Sequence, residues 1–214
     1  QPHEMPYNVG TKAFGHDVVF DSGDYPALFN KALESIGYKA LREEQAAARA
    51  AGRYVGIGLA PFVEKTGVGP WESARVRIDG SGSVAVYSGV TSVGQGMETV
   101  LAQICAEQLR VPPEKIIVRH GDTAVIPLGA GAYGSRGTVT GGSALWKAAG
   151  LIHDKLQRLA AHRLEVSAGD LELRDGAVVM PGTDLSMSFR DLARAAMPGQ
   201  PMPPDMEPGL DISS

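Results

Sequence analysis

Apolar residues recur along this chain with two periods, one near 3.6 and one of 2, and the two periods divide it into helices and strands. Behind residues 21–26, Leu28, Ala32, Leu33 and Ile36 fall at helical spacing. Ser22 or Asp24 can cap that helix, and Pro26 fits its first turn, where a missing N–H costs nothing. Gly37 marks its end, and 38–51, with Leu41 and many alanines, predicts a second and more solvated helix stopping at Gly52. Residues 54–64 read as a strand whose glycines allow a neighbouring backbone to come close. Residues 65–72 are a glycine-rich turn containing Trp71. Residues 73–78 then set Ala74, Val76 and Ile78 against Ser73, Arg75 and Arg77, the alternation of a half-buried strand. Asp79-Gly80-Ser81-Gly82 is a hairpin turn, and 83–88 is the returning strand.

Further along, 98–109 predicts a helix burying Val100, Leu101, Ile104, Cys105 and Leu109, ended by Pro112 and Pro113. Ile116-Ile117-Val118 predicts a buried strand within 115–120. Residues 124–137 form a glycine-rich loop of a length that compact domains mostly reserve for function. A long helix follows from Thr138 or Thr140 to about Ala161, with Leu145, Ala149, Ile152, Leu156 and Leu159 on its apolar stripe. A second hairpin turns at Asp175-Gly176, and Ser188 caps a short helix. Residues 1–20 are expected to be an extended segment without periodicity, 21–197 one domain, and 198–214 a proline-rich linker. Hairpin strands with helices packed on them predict an α+β fold.

Composition narrows the classes. The 214 residues are 43% hydrophobic and 21% charged, an ordinary globular balance that can bury a core. A net charge of −4 and the lack of any basic run argue against a nucleic-acid surface. No window is apolar enough for a transmembrane helix, and a cytoplasmic location is the default expectation. The single cysteine, Cys105, rules out an internal disulfide and a cysteine metal cluster, and its place in a helical stripe points to a buried structural thiol. The chain begins with Gln and lacks a signal-peptide pattern, which raises the expectation that it is cut from something longer.

The candidate chemistry lies between Ser88 and Lys147. Two glycine-bracketed turns, Gly94-Gln95-Gly96 and 131–137 (Gly-Ala-Tyr-Gly-Ser-Arg-Gly), each lead into a helix. Glycine permits close backbone approach, and a helix N-terminus offers free N–H groups and the positive end of a dipole. Each is therefore a seat for a phosphate or other polar anion, and the pair suggests one large ligand held from two sides.

The segments 56–64 (GIGLAPFVE), 88–109 (SGVTSVGQGMETVLAQICAEQL), 121–123 (GDT) and 131–144 (GAYGSRGTVTGGSA), with 20–34 (FDSGDYPALFNKALE), resemble a known family. It is the molybdopterin-binding large subunit of the molybdenum hydroxylases: xanthine dehydrogenase, aldehyde oxidase and aerobic carbon-monoxide dehydrogenase. The Tyr-Gly-Ser-Arg wording is nearest to the carbon-monoxide-dehydrogenase-like branch. The resemblance implies a molybdenum–molybdopterin cofactor, in bacteria usually the cytosine dinucleotide. It also implies hydroxylation of carbon monoxide, an aldehyde or an N-heterocycle with oxygen from water. Electrons would leave through iron–sulfur and FAD-bearing partner subunits, alongside the remaining domains of the large subunit.

The resemblance assigns Gln95, between Gly94 and Gly96, to the cofactor, and Tyr133, Gly134, Ser135, Arg136, Gly137 and Thr138 to the segment that wraps the pterin and its phosphates. The residues suit this. An amide presents both donor and acceptor to a heterocycle edge, and Ser135 and Thr138 offer hydroxyls. The alternative for Gln95 is a simple helix-capping turn. Arg136 can pair with a phosphate or form an ordinary surface salt bridge.

No residue of this chain is assigned a catalytic or metal-ligating role. The family's general-base glutamate motif, its earlier glycine-rich cofactor segment and its substrate loop with the copper-binding cysteine have no counterpart here. Cys105 does not substitute for that cysteine. Glu64 and Glu72 read as structural or exposed charges. His16, His120, His153 and His162 show no metal-ligand spacing, and His153 and His162 read as solvated. The expectation is a part of a large subunit, inactive alone. A stand-alone binding module is the rival. A hydrolase using Ser135 or Ser143 is weak, for want of the G-x-S-x-G turn and a placed histidine.

Overall fold

A computed structural model describes residues 4–13 and 15–214. The chain divides into two units, Gln1–Val63 and Glu64–Ser214.

The first unit opens with strands β1 (Tyr7–Ala13) and β2 (His16–Phe20), paired antiparallel with Tyr7 opposite Phe20 and Ala13 opposite His16. The expected aperiodic lead-in is thus a hairpin; positions 1–3 and 14 lie outside the described residues. Phe20 meets the edge of Tyr25 with ring centroids 5.2 Å apart. Helices α1 (Tyr25–Ser35) and α2 (Tyr38–Ala50) follow as predicted. Asp24 caps α1 through Oδ1, which accepts from the Ala27 N–H at 2.9 Å, and Gly37 separates the two with φ of 67°. No described residue of this unit is buried. The predicted strand at 54–64 does not form: the segment is irregular, with Tyr54, Leu59 and Phe62 exposed. A strand needs a backbone ladder with a neighbour, and among the described residues this segment pairs with no strand; the Val55 carbonyl instead accepts from the Gln45 side-chain amide at 2.6 Å.

The second unit holds the core. Strands β3 (Ala74–Ile78) and β4 (Val84–Ser88) form the predicted hairpin, with Ala74 opposite Ser88 and Ile78 opposite Val84. Helix α3 (Met97–Leu109) carries the chain over to β5 (Ile116–Arg119), which pairs parallel to β4. Helix α4 (Gly142–Leu164) packs against α3 and the sheet, burying Leu145, Ile152, Leu156 and Leu159. Cys105 is buried in the same cluster, and burial pushes its thiol up to about 12. His153, expected to be solvated, instead ties α4 to α3 through Nδ1, 2.8 Å from the Gln108 carbonyl oxygen.

A second, three-stranded sheet comprises β6 (Glu172–Arg174), β7 (Ala177–Val179) and β8 (Ser186–Ser188), followed by α5 (Phe189–Ala195), capped by Ser188 as predicted. The tail is not a linker. Its strand β9 (Asp211–Ser213) adds antiparallel to β3, completing the order β5-β4-β3-β9. Two forces hold it: the Ile78 N–H donates to the Leu210 carbonyl at 2.8 Å, and Arg75 makes a two-pronged ion pair with Asp211. Helices with mixed and antiparallel sheets make the fold α+β. No helix among the described residues is long and apolar enough to cross a membrane.

Candidate functional site

Strand β4 delivers the chain to the first turn. Gly94 and Gly96 have φ of 102° and 77°, and a methyl group built on either would meet nothing within 4 Å. These glycines therefore serve backbone conformation and face open space. The Gln95 amide folds back into its own turn: Oε1 accepts from the Val93 N–H at 2.6 Å, and Nε2 donates to the Thr91 carbonyl at 3.3 Å. The turn-capping role and an outward face coexist, because the exposed amide keeps one N–H and one lone pair.

Helix α3 starts at this turn without a side-chain cap. Its first turn is not an empty anion seat, however. Glu98 lies there, and its carboxyl is held down at about 2, first by the hydrogen bond from His120, then by its own backbone N–H and the Ser92 side chain. His120 Nε2 stands 2.8 Å from Glu98 Oε1, so the pair pins the start of α3 to the end of β5. A negative side chain already satisfies the positive helix end.

The second turn is built from below. Trp71, Glu72 and Ser73 precede β3, and each fastens the loop that runs from Leu128 to Arg136. Ser73 Oγ donates to the Leu128 carbonyl. The Glu72 carboxylate accepts from the Ser73 N–H at 3.0 Å and the Ala130 N–H at 3.2 Å, and from Arg136 Nη1 at 3.0 Å. Arg136 also donates through Nη2 to the Trp71 carbonyl and through Nη1 to the Gly131 carbonyl at 3.4 Å. Both side chains of the pair are completely buried. Arg136 is thus neither a surface salt bridge nor an exposed phosphate hook: its guanidinium points inward. Its Nε is buried without a hydrogen-bond partner, and the Tyr133 ring covers the guanidinium carbon at 4.9 Å.

On this loop Gly131 faces open space, whereas Gly129 and Gly134 serve contact. A methyl on Gly129 would lie 2.6 Å from the Gly89 Cα, so the two backbones touch. A methyl on Gly134 would lie 2.6 Å from Val68 Cβ. At the same place the Val68 N–H donates to the Gly134 carbonyl at 3.1 Å, and the Gly67 N–H to the Ser135 carbonyl at 3.2 Å. Ser135 takes φ of 50°, a left-handed conformation unusual outside glycine. After the loop, Gly137–Gly141 forms a π-helical turn before α4 begins, and Thr140 Oγ1 caps the Arg136 carbonyl at 2.9 Å. Such turns recur at functional sites.

The two turns meet. A methyl on Gly137 would stand 2.9 Å from the Met97 sulfur, so the start of α3 abuts the π turn. Tyr133, Ser135 and Thr138 remain exposed on the loop. Among the described residues, no group of three or more His, Cys, Asp or Glu is placed to hold a metal ion.

Residues 31–211 match the family model of the molybdopterin cofactor-binding domain. The chain belongs to that family. It is 42% identical to the 6-hydroxypseudooxynicotine dehydrogenase complex subunit gamma of Paenarthrobacter nicotinovorans, over 97% of this chain and 26% of that protein. It is 39% identical to the carbon monoxide dehydrogenase large chain of Hydrogenophaga pseudoflava, over 97% of this chain and 27% of that protein. Among solved structures, the reconstituted CO dehydrogenase of Oligotropha carboxidovorans superposes with a TM-score of 0.65 at 38% identity, covering all of this chain and 28% of the other. Quinoline 2-oxidoreductase of Pseudomonas putida 86 gives 0.64 at 33% identity. The chain spans about a quarter of the length of the curated relatives it matches.

The residues present fit part of a molybdopterin cofactor. Gly94, Gly96 and Gly131 face open space with positive φ, leaving room for a ligand against bare backbone. The Gln95 amide suits a ring edge, and the Ser135 and Thr138 hydroxyls suit phosphate or pterin oxygens. Sequence reasoning missed the Glu72 anchor and the Glu98–His120 pair. Glu72 was findable: it shares the even parity of Ala74, Val76 and Ile78, all buried.

Proposed function

We propose that this chain supplies part of the molybdenum-cofactor site of a hydroxylase large subunit. The observation that carries the reading is the meeting of two glycine turns, distant in sequence, at Met97 and Gly137. When bound, the molybdenum–molybdopterin group, in its cytosine dinucleotide form, would supply the redox chemistry by which a substrate carbon gains oxygen from water and releases two electrons and two protons. The residues of this chain bind and orient. Gln95, on the Gly94–Gly96 frame, hydrogen-bonds the pterin edge. Tyr133, Gly134, Ser135, Arg136, Gly137 and Thr138 wrap it, Arg136 through its main chain. Positioning of this kind sets rate without a proton being moved here.

Carbon monoxide, an aldehyde and an N-heterocycle are the candidate substrates, and the relatives' names favour the first and the last. Partners on this reading are the remaining domains of a large subunit and iron–sulfur and flavin subunits, in the cytoplasm. The test is molybdenum and released cytidine nucleotide per chain, in protein purified with its partners from a host that inserts the cofactor. Stoichiometric amounts of both are expected. Protein free of molybdenum, from a host that loads a known family member, leaves only a binding module.

A further inference from the structure

Arg136 and Glu72 are completely buried, yet they sit directly beneath a loop whose Tyr133, Ser135 and Thr138 are exposed. Burying an arginine is costly unless its donors are met, and here four oxygen and ring partners from two segments converge on it, leaving only Nε without a hydrogen bond. Glu72 gives the counter-charge, Trp71 and Gly131 give carbonyls, and Tyr133 gives its ring face. The Gly131 carbonyl and the Tyr133 ring both belong to the loop that carries Arg136, so this side chain is the post around which its own loop is wound. Glu72 in turn binds the Ala130 N–H, and Ser73 the Leu128 carbonyl, fixing where the loop begins.

We propose that the Glu72–Arg136 side-chain pair is a positioning device that sets the shape of the 131–138 loop and thereby the residence time of the molybdenum–pterin ligand, without either side chain touching that ligand. The inference rests on the reading of this loop as a cofactor contact. It assigns the Tyr-Gly-Ser-Arg arginine a role as internal post in place of phosphate hook. The open faces of Tyr133, Ser135 and Thr138 hold their geometry because the buried side of the loop has nowhere else to go.

The test compares variants of the loaded, assembled protein by the rate at which molybdenum is lost into chelator, at a temperature well below unfolding, together with their melting temperatures. Glu72→Gln keeps shape and removes the counter-charge. Arg136→Lys keeps the charge but cannot serve Glu72 and the two carbonyls together, and it provides the milder variant if Glu72→Gln does not fold. Leu192→Ala, in the core of α5, is the control for general destabilisation. Both pair variants are expected to lose molybdenum about 10- to 100-fold faster than wild type, the range typical of groups that orient a ligand's holders. Leu192→Ala is expected to melt lower yet release at the wild-type rate. Release at the wild-type rate from Arg136→Lys, or equally fast release from Leu192→Ala, overturns the inference while a loaded wild type leaves the functional reading standing. A wild type that carries no molybdenum overturns both.

Discussion

The two turns of the candidate site differ in how they are held and in what most of their glycines do. At 94–96 the glycines face open space, the turn is closed by its own Gln95 side chain, and its residues are exposed. At 131–138 Gly131 faces open space, but Gly134 and Gly137 lie where a side chain would strike Val68 or Met97, and a buried ion pair holds the loop from beneath. The first turn is a local device that a ligand can reshape by exchanging hydrogen bonds within one residue. The second is fixed by groups more than sixty residues away in sequence and can only be reshaped by disturbing the core. A large ligand gripped by both would meet one adaptable jaw and one rigid jaw.

The largest break in that contrast comes from the pair itself. Arg136→Ala removes one member and leaves a buried carboxylate, at a cost of about 3–5 kcal/mol measured by denaturant unfolding. A loss under about 1 kcal/mol, the surface-pair value, would place the loop on the adaptable side. Next, Gly134→Ala drives a methyl into Val68, adding an overpacking penalty of about 1–3 kcal/mol. Gly96→Ala at a similar φ meets no neighbour, so its melting temperature should fall less. Equal losses would erase the distinction between packing and open glycines. Gln95→Ala removes two hydrogen bonds from an exposed turn, and its stability change should stay near 1 kcal/mol while cofactor content drops.

The smallest effect is in the pH dependence beside the first turn. The Glu98 carboxyl is depressed to about 2, so whatever it contributes is complete above its ordinary value near 4.5. That contribution is lost as pH falls toward 2. Replacing His120 by Ala removes the largest cause, and the Glu98 titration followed by NMR should then move up toward the ordinary carboxylate range. An unmoved titration would mean that the backbone N–H and Ser92 alone hold it.

Much of the fold was readable from local pattern because its signals are local. The Asp24 cap with Pro26, the period-2 run of β3, the Asp79–Gly82 turn and the stripes of α3 and α4 each depend on residues within a few positions of one another. What escaped depends on distance. Strand β9 is three residues behind a proline-rich run, and only its pairing with β3 and the Arg75–Asp211 bridge, 136 residues apart, make it a strand. The 54–64 run has strand composition but no partner strand among the described residues, and composition without a ladder leaves irregular chain. In the site, Gln95 and the loop residues were visible as a motif, whereas the inward direction of Arg136 was not. A side chain's direction is set by what receives it, and Glu72 lies in another segment. The π turn at Gly137–Gly141 likewise has no distinct local signal and was read as the plain start of a helix.

A structure of the assembled protein carrying its cofactor decides between these roles. The pterin is expected between the two turns, with the Gln95 amide and the backbone of 133–138 in contact with it. The Arg136 guanidinium is expected to remain on Glu72, Trp71 and Gly131. A cofactor bound elsewhere, or an Arg136 side chain swung out onto a phosphate, would contradict this arrangement.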